Sequence, residues 1–142
     1  AKQVNPDLAI VFEGCPADDT AETPEMIQSA MGKGPMLRYF DVSMITNPEF
    51  QEYALEIAKI NKIPVQVSVR SGGGTNGMAI TQVQGAPTIV VGIPVRYAHT
   101  PHCYVDFQDY QAAKELVIQL IKNLDADKIQ ALVQPLSKEW NK

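Results

Sequence analysis

Only two cysteines, two histidines and one tryptophan occur in the 142 residues. Two cysteines, Cys15 and Cys103, are too few for a disulfide framework. Stability must therefore come from an apolar core, which a single 15.6 kDa domain can bury. A zinc finger is excluded as well, since it needs about four ligands in paired local spacings. No apolar run approaches the roughly 20 residues of a membrane-spanning helix. Basic charge is in deficit: 12 Lys and Arg face 16 Asp and Glu, for a net charge of -4. That argues against a nucleic-acid partner. The N-terminal "AKQVNPDL" has no apolar core of a signal peptide. These absences lead to the expectation of a cytoplasmic protein with no membrane and no nucleic acid among its partners.

What is present alternates between two periodicities. Asp7–Gly14, Met36–Met44, Pro64–Ser71 and Ala86–Tyr97 read as strands, the last ending near Gly92 or Pro94. Asn47 and Pro48 open a helix to about Asn61, with Phe50, Tyr53, Ala54, Ile57 and Ile60 on one stripe. Met78–Gln84 reads as a short helix. Asp106 or Asp109 caps a long one, striped by Tyr110, Ala113, Val117, Leu120, Ile121 and Leu124. Asp125–Leu136 adds a terminal helical turn or two. Strands buried on both faces alternating with helices imply an α/β sandwich with a mostly parallel or mixed sheet. Ligands of such sheets sit beyond the carboxyl ends of strands. Three loops leave strand ends here: "GCPADDT", "SGGGTNG" and "AHTPHC".

Each loop carries polar groups with more than one use. Gly72–Gly77 formally matches the dinucleotide fingerprint, but no acidic residue follows about 20 positions later to hold a ribose. A tight turn, or a helix N-terminus facing an anion, explains it as well. Asp18 and Asp19 suit a metal or a solvated acidic loop. His99, His102 and Cys103 offer borderline ligands. A catalytic zinc site draws three protein ligands, and they can come from distant loops. Cys103 beside His102, or Cys15 near His99, could also form a nucleophile pair.

Taken in order, "FEGCPADDTAETPE", "VRSGGGTNGMAI" and "VGIPVRYAHTPHCYVD" resemble the C-terminal part of the glutamyl and deblocking aminopeptidases. These TET-type metallopeptidases also carry the names cellulase M and endoglucanase. The resemblance runs from about Asp7 to Leu124. It implies a three-layer α/β sandwich of the zinc-peptidase, phosphorylase/hydrolase-like kind, here incomplete. It implies two divalent metal ions, zinc or cobalt, in the complete enzyme, together with peptide substrates and a homo-oligomer, a dodecamer in the family. Carried over by motif, Asp19 would bind one metal and His99 the other. Gly73, Gly74, Thr75 and Asn76 would form the substrate-binding floor. Asp18, His102 and Cys103 become neighbours of the site, and Arg96 a structural or substrate-orienting group. Ala21-Glu22 stands where the family often has Pro-Gly, and Asn76 where it often has Asp.

The resemblance also exposes a gap. The family's remaining ligands, including a bridging Asp and a Glu-Glu pair that supplies the general base, belong to an N-terminal half. The 142 residues contain no Glu-Glu dipeptide and no third His. Glu13, Glu22 and Glu25 lie near the right loop without a motif to single one out. The expectation is thus the C-terminal part of a di-metal aminopeptidase, spanning 1–142, without the N-terminal half and inserted β domain, inactive in isolation and binding no metal by itself. A non-catalytic α/β binding or scaffold domain and a cysteine-dependent hydrolase are the alternatives. Two adjacent aspartates make a poor glycosidase pair, because that chemistry spaces its carboxylates roughly 5–10 Å apart.

Overall fold

A computed structural model describes residues 2–133. The strands are β1 (Ala9–Pro16), β2 (Met36–Phe40), β3 (Gln66–Val69), β4 (Thr88–Arg96) and β5 (Tyr104–Val105). The helices are α1 (Pro48–Ile60), α2 (Asn76–Gln84), α3 (Phe107–Lys122) and α4 (Ala126–Val133), with a 3-10 turn at Pro24–Met26. β4 is the spine of the sheet. It pairs in parallel with β1 along its length, from Ala9 opposite Thr88 to Pro16 opposite Val95. It pairs antiparallel with β2 at Val91 and Gly92, and with β5 at Val95 and Arg96. β3 lies parallel to β2 at the edge. The sheet is mixed, as the sequence implies.

The helices fall on the two faces. Ile89 and Val91 of β4 and Leu37 of β2 meet Phe50, Tyr53, Ala54 and Ile57 of α1 and Ala113, Leu116 and Leu120 of α3. On the other face Val11 and Val90 pack against Met44 and Met78, the latter on α2. The result is the expected three-layer sandwich. Among the described residues no helix is long and apolar enough to cross a membrane.

Caps follow the sequence. Asn47 accepts from the Phe50 N–H at 2.8 Å, and Asp106, not Asp109, caps α3 through the Gln108 N–H at 2.7 Å. The stripe of α3 is rotated from the expected one. Asp109, Ala113, Leu116 and Leu120 are buried, while Tyr110 and Ile121 are exposed. On α1, Ala58 takes the buried place expected of Ile60. β4 continues through Pro94, because β2 engages β4 only at Val91 and Gly92 and needs no N–H from Pro94. α4 is described as far as Val133, and positions 134–136 of the expected turn lie outside the described residues.

Candidate functional site

The loop after β1 looks mobile in composition but is fastened by side chains. Asp18 accepts from the Ser29 N–H at 2.9 Å and pairs with Arg70 at 2.9 Å. Arg70 also donates to the Pro16 carbonyl at 2.7 Å. Asp19 takes a two-pronged bond from Arg96, at 3.0 and 2.8 Å, and a third from the Met31 N–H at 3.0 Å. The Arg96 bonds come first among the causes that hold the Asp19 carboxyl below its usual range. Gln66 bonds the backbone of Ala30 and Gly34. Backbone groups that a long loop would leave unpaired are in this way satisfied.

The carboxyl ends of the parallel pair β1 and β4 frame a cleft of about 250 Å³. Glu13, Arg38, Arg70, Gly73, Gly74 and His99 are among the residues lining it. Glu13 lies on β1 opposite Gly92. Burial pushes its carboxyl up from the ordinary range, opposed by the Arg38 guanidinium, the Cys15 thiol and the Asn76 backbone N–H. Thr75 caps α2 by accepting from the Gly77 N–H at 3.1 Å. His99 is exposed on a turn in which Tyr97 and His99 both have positive φ, 58° and 63°. That backbone costs a non-glycine residue about 1–2 kcal/mol. The Thr100 hydroxyl braces the turn, lying 2.7 Å from the Tyr97 carbonyl and 2.8 Å from that of His102. Strain maintained by such bracing is common where a side chain has to be aimed.

Comparison with known proteins identifies the frame. The model of the M42 glutamyl aminopeptidase family matches residues 1–116. The chain belongs to that family. It is 29% identical over 125 residues to the glutamyl aminopeptidase of Lactococcus lactis subsp. cremoris, covering 88% of this chain and 34% of that protein. It superposes on the crystal structure of a TET aminopeptidase from a marine sediment archaeon of the Thaumarchaeota with a TM-score of 0.87 and 37% identity, covering 92% of this chain and 37% of that one. The Pyrococcus horikoshii TET1 peptidase, which assembles into a tetrahedron or a large octahedral shell, matches with a TM-score of 0.67 and 25% identity over 82% of this chain and 34% of that one. The chain thus spans little more than a third of the M42 proteins it matches.

Within the M42 frame the expected site residues divide. His99, Gly73 and Gly74 line one cleft. Thr75 is buried as a helix cap, and Asn76 is the first residue of α2. Asp19, the other metal ligand expected from the motif, lies apart from that cleft. Its carboxylate is filled by Arg96 and Met31 and does not line the cleft. Neither Asp18 nor Asp19 is the solvated pair their sequence suggests, and each faces its own arginine. Arg96 spends its Nε and Nη2 on Asp19. The residue that sequence reasoning underrated is Glu13. Its signal was available: a carboxylate inside an apolar strand needs a partner or a purpose. Among the described residues no group of three or more His, Cys, Asp or Glu is placed to hold a metal ion. A carboxylate and an imidazole in one cleft suit a borderline divalent ion but supply only part of a donor set.

Cys15 is not placed to act as a nucleophile. Cys15 is fully buried, donating toward Glu13 at 3.7 Å and accepting from Arg38 at 3.1 Å. A Cβ at Gly92 would overlap its Sγ, so only glycine leaves it room. Burial pushes the thiol up to about 11, leaving it protonated and unreactive at neutral pH. Cys103 is exposed and does not line the cleft. Iodoacetamide on the folded chain should add one adduct, at Cys103, by intact mass and peptide mapping. Rapid labelling of Cys15 would contradict the buried thiol.

Proposed function

We propose that the chain is the C-terminal part of an M42 aminopeptidase catalytic domain, acting on the N-terminal residues of peptides. One observation carries the reading: Glu13 and His99 line the same cleft, at the carboxyl ends of adjacent parallel strands. Glu13 and His99 would each hold a divalent ion, zinc or cobalt, and further donors would come from the portion of M42 proteins that this chain lacks. The ion would supply Lewis-acid polarisation of the scissile carbonyl and activation of water. The chain's own share is to fix the carboxylate and imidazole and to present the Gly72–Gly74 backbone as the wall of the cleft. A general base within reach of the attacking water must also come from the missing portion, since Glu13 is engaged as a donor.

The exposed apolar surface supports this incompleteness. Phe12 on the outer edge of β1 is 44% exposed. Tyr97 and Tyr104 pack edge to face, Phe107 stacks on Tyr110, and all four rings are exposed. Surface of this kind is normally covered by more chain or by another copy, and oligomerisation of TET relatives is consistent with both. The isolated 142-residue chain is expected to release no product from an aminoacyl-p-nitroanilide and to self-associate in sedimentation velocity. A monodisperse monomer that hydrolyses the substrate unaided would end the reading.

A further inference from the structure

Arg38 raises a question that the proposed site does not answer. It projects from β2, is 4% exposed, and lines the cleft with Glu13 and His99. A buried guanidinium requires a counter-charge. Two carboxylates compete for it. Asp41 lies 2.8 Å from Nη1, while Glu13 lies 3.8 Å from Nη2. The first is a hydrogen-bonded ion pair, and the second is beyond hydrogen-bond range. The Nη2 that could reach Glu13 donates instead to Cys15 Sγ at 3.1 Å.

Asp41 is fixed in this role. Its side chain is fully buried in the turn after β2. Oδ1 accepts from the Ser43 N–H at 2.8 Å, the Ser43 hydroxyl at 2.6 Å and the Met44 N–H at 3.1 Å. Oδ2 is left for Arg38. The arginine is thus tethered by a carboxylate that cannot turn away. Arg38 and Asp41 cancel as a pair, and the negative charge of Glu13 is not consumed by its nearest cation.

We propose that Asp41 is a positioning residue that holds Arg38 off Glu13 and so leaves the Glu13 carboxylate free to receive a cation. The role in cation binding rests on the reading of Glu13 and His99 as metal donors. The geometric part does not. Without the Asp41 charge, Arg38 has one carboxylate left within reach, and it closes on Glu13. A metal ligand whose supporting partner is changed commonly loses affinity by about 10–100-fold.

The test reads the Arg38–Glu13 geometry in the full 142-residue chain, and Co2+ binding in an M42 enzyme completed around it, where the remaining donors are present. In crystals of Asp41→Asn, which keeps an oxygen for Ser43 and Met44, the Arg38–Glu13 separation should shorten from 3.8 Å into hydrogen-bond range. Co2+ titration should show affinity lower by about 10-fold or more, with Glu52→Gln on α1 binding as the native chain does. The double variant Arg38→Met with Asp41→Asn removes both charges and should recover native affinity, a rescue that general loosening of the fold would not give. It also serves if the single variant does not fold. An unchanged Arg38–Glu13 separation in Asp41→Asn overturns the proposal whatever the metal does, as does a double variant that stays weak. A completed native enzyme that ignores Co2+, or a completed Glu13→Gln enzyme that binds it as well as native, overturns instead the metal reading and the purpose given to Asp41.

Discussion

Glu13→Gln is expected to strip metal and activity from an M42 enzyme completed around this chain, and Asp19→Asn is expected to do neither. The loss at Glu13 should exceed about 100-fold in kcat/KM, the upper end of what changing even a ligand's supporting partner costs. His99→Ala should match it, since both side chains line the same cleft. Asp19 presents the opposite case. Its two oxygens accept three bonds, from Arg96 and the Met31 N–H. An amide keeps one acceptor and loses the charge pairing. The cost falls on stability and is modest, because Arg96 is a third exposed and solvent screens the pair. Metal content by plasma mass spectrometry, kcat/KM and urea unfolding separate the two outcomes. A demetallated Asp19→Asn beside a loaded Glu13→Gln would restore the motif-based assignment.

That contrast shows where sequence was legible and where it was not. Periodicity and caps placed α1, β4 and α3, because Asn47, Pro48 and Asp106 act locally and Val-rich β4 has to be buried. His99 was marked in the sequence by the run "RYAHTP" after a buried strand, and its side chain lines the cleft. The pairing of Asp19 was not legible because its partner, Arg96, lies 77 positions away. Glu13 was passed over for the converse reason. Within β1 it looks like an outward polar residue, and only pairing with β4 and the approach of Arg38 show that it faces a cleft. The rotated stripe of α3 has the same origin. No periodicity rule puts Asp109 on the buried face, because what makes the burial tolerable is a pair of backbone N–H groups some 75 residues upstream.

Asp109→Ala should be the most destabilising single substitution in the helical layer. Asp109 sits in the first turn of α3 and is 1% exposed. Its two oxygens accept from the Gly32 and Gly34 N–H groups, each at 2.7 Å. Alanine leaves both donors without acceptors, at about 1–3 kcal/mol apiece. A loss of about 2–6 kcal/mol is a large part of the 5–15 kcal/mol typical of a domain. Asp109→Asn should lose roughly half as much, since its amide oxygen still serves one N–H while its NH2 faces the other. Gly34→Ala approaches the same joint from the loop side. Gly34 has a φ of +88°, and a methyl there would overlap the Pro64 carbonyl. If the two residues form one clamp, the double variant should cost less than the sum of the singles. Urea midpoints at constant slope would give these differences, and an Asp109→Ala within about 1 kcal/mol of native would refute the clamp, being no more than an ordinary surface change. The clamp matters beyond stability because the chain runs from Gly34 directly into β2, which carries Arg38 and leads to Asp41. A loosened joint should therefore also widen the spread of Arg38–Glu13 separations, coupling a buried helix terminus to the cleft.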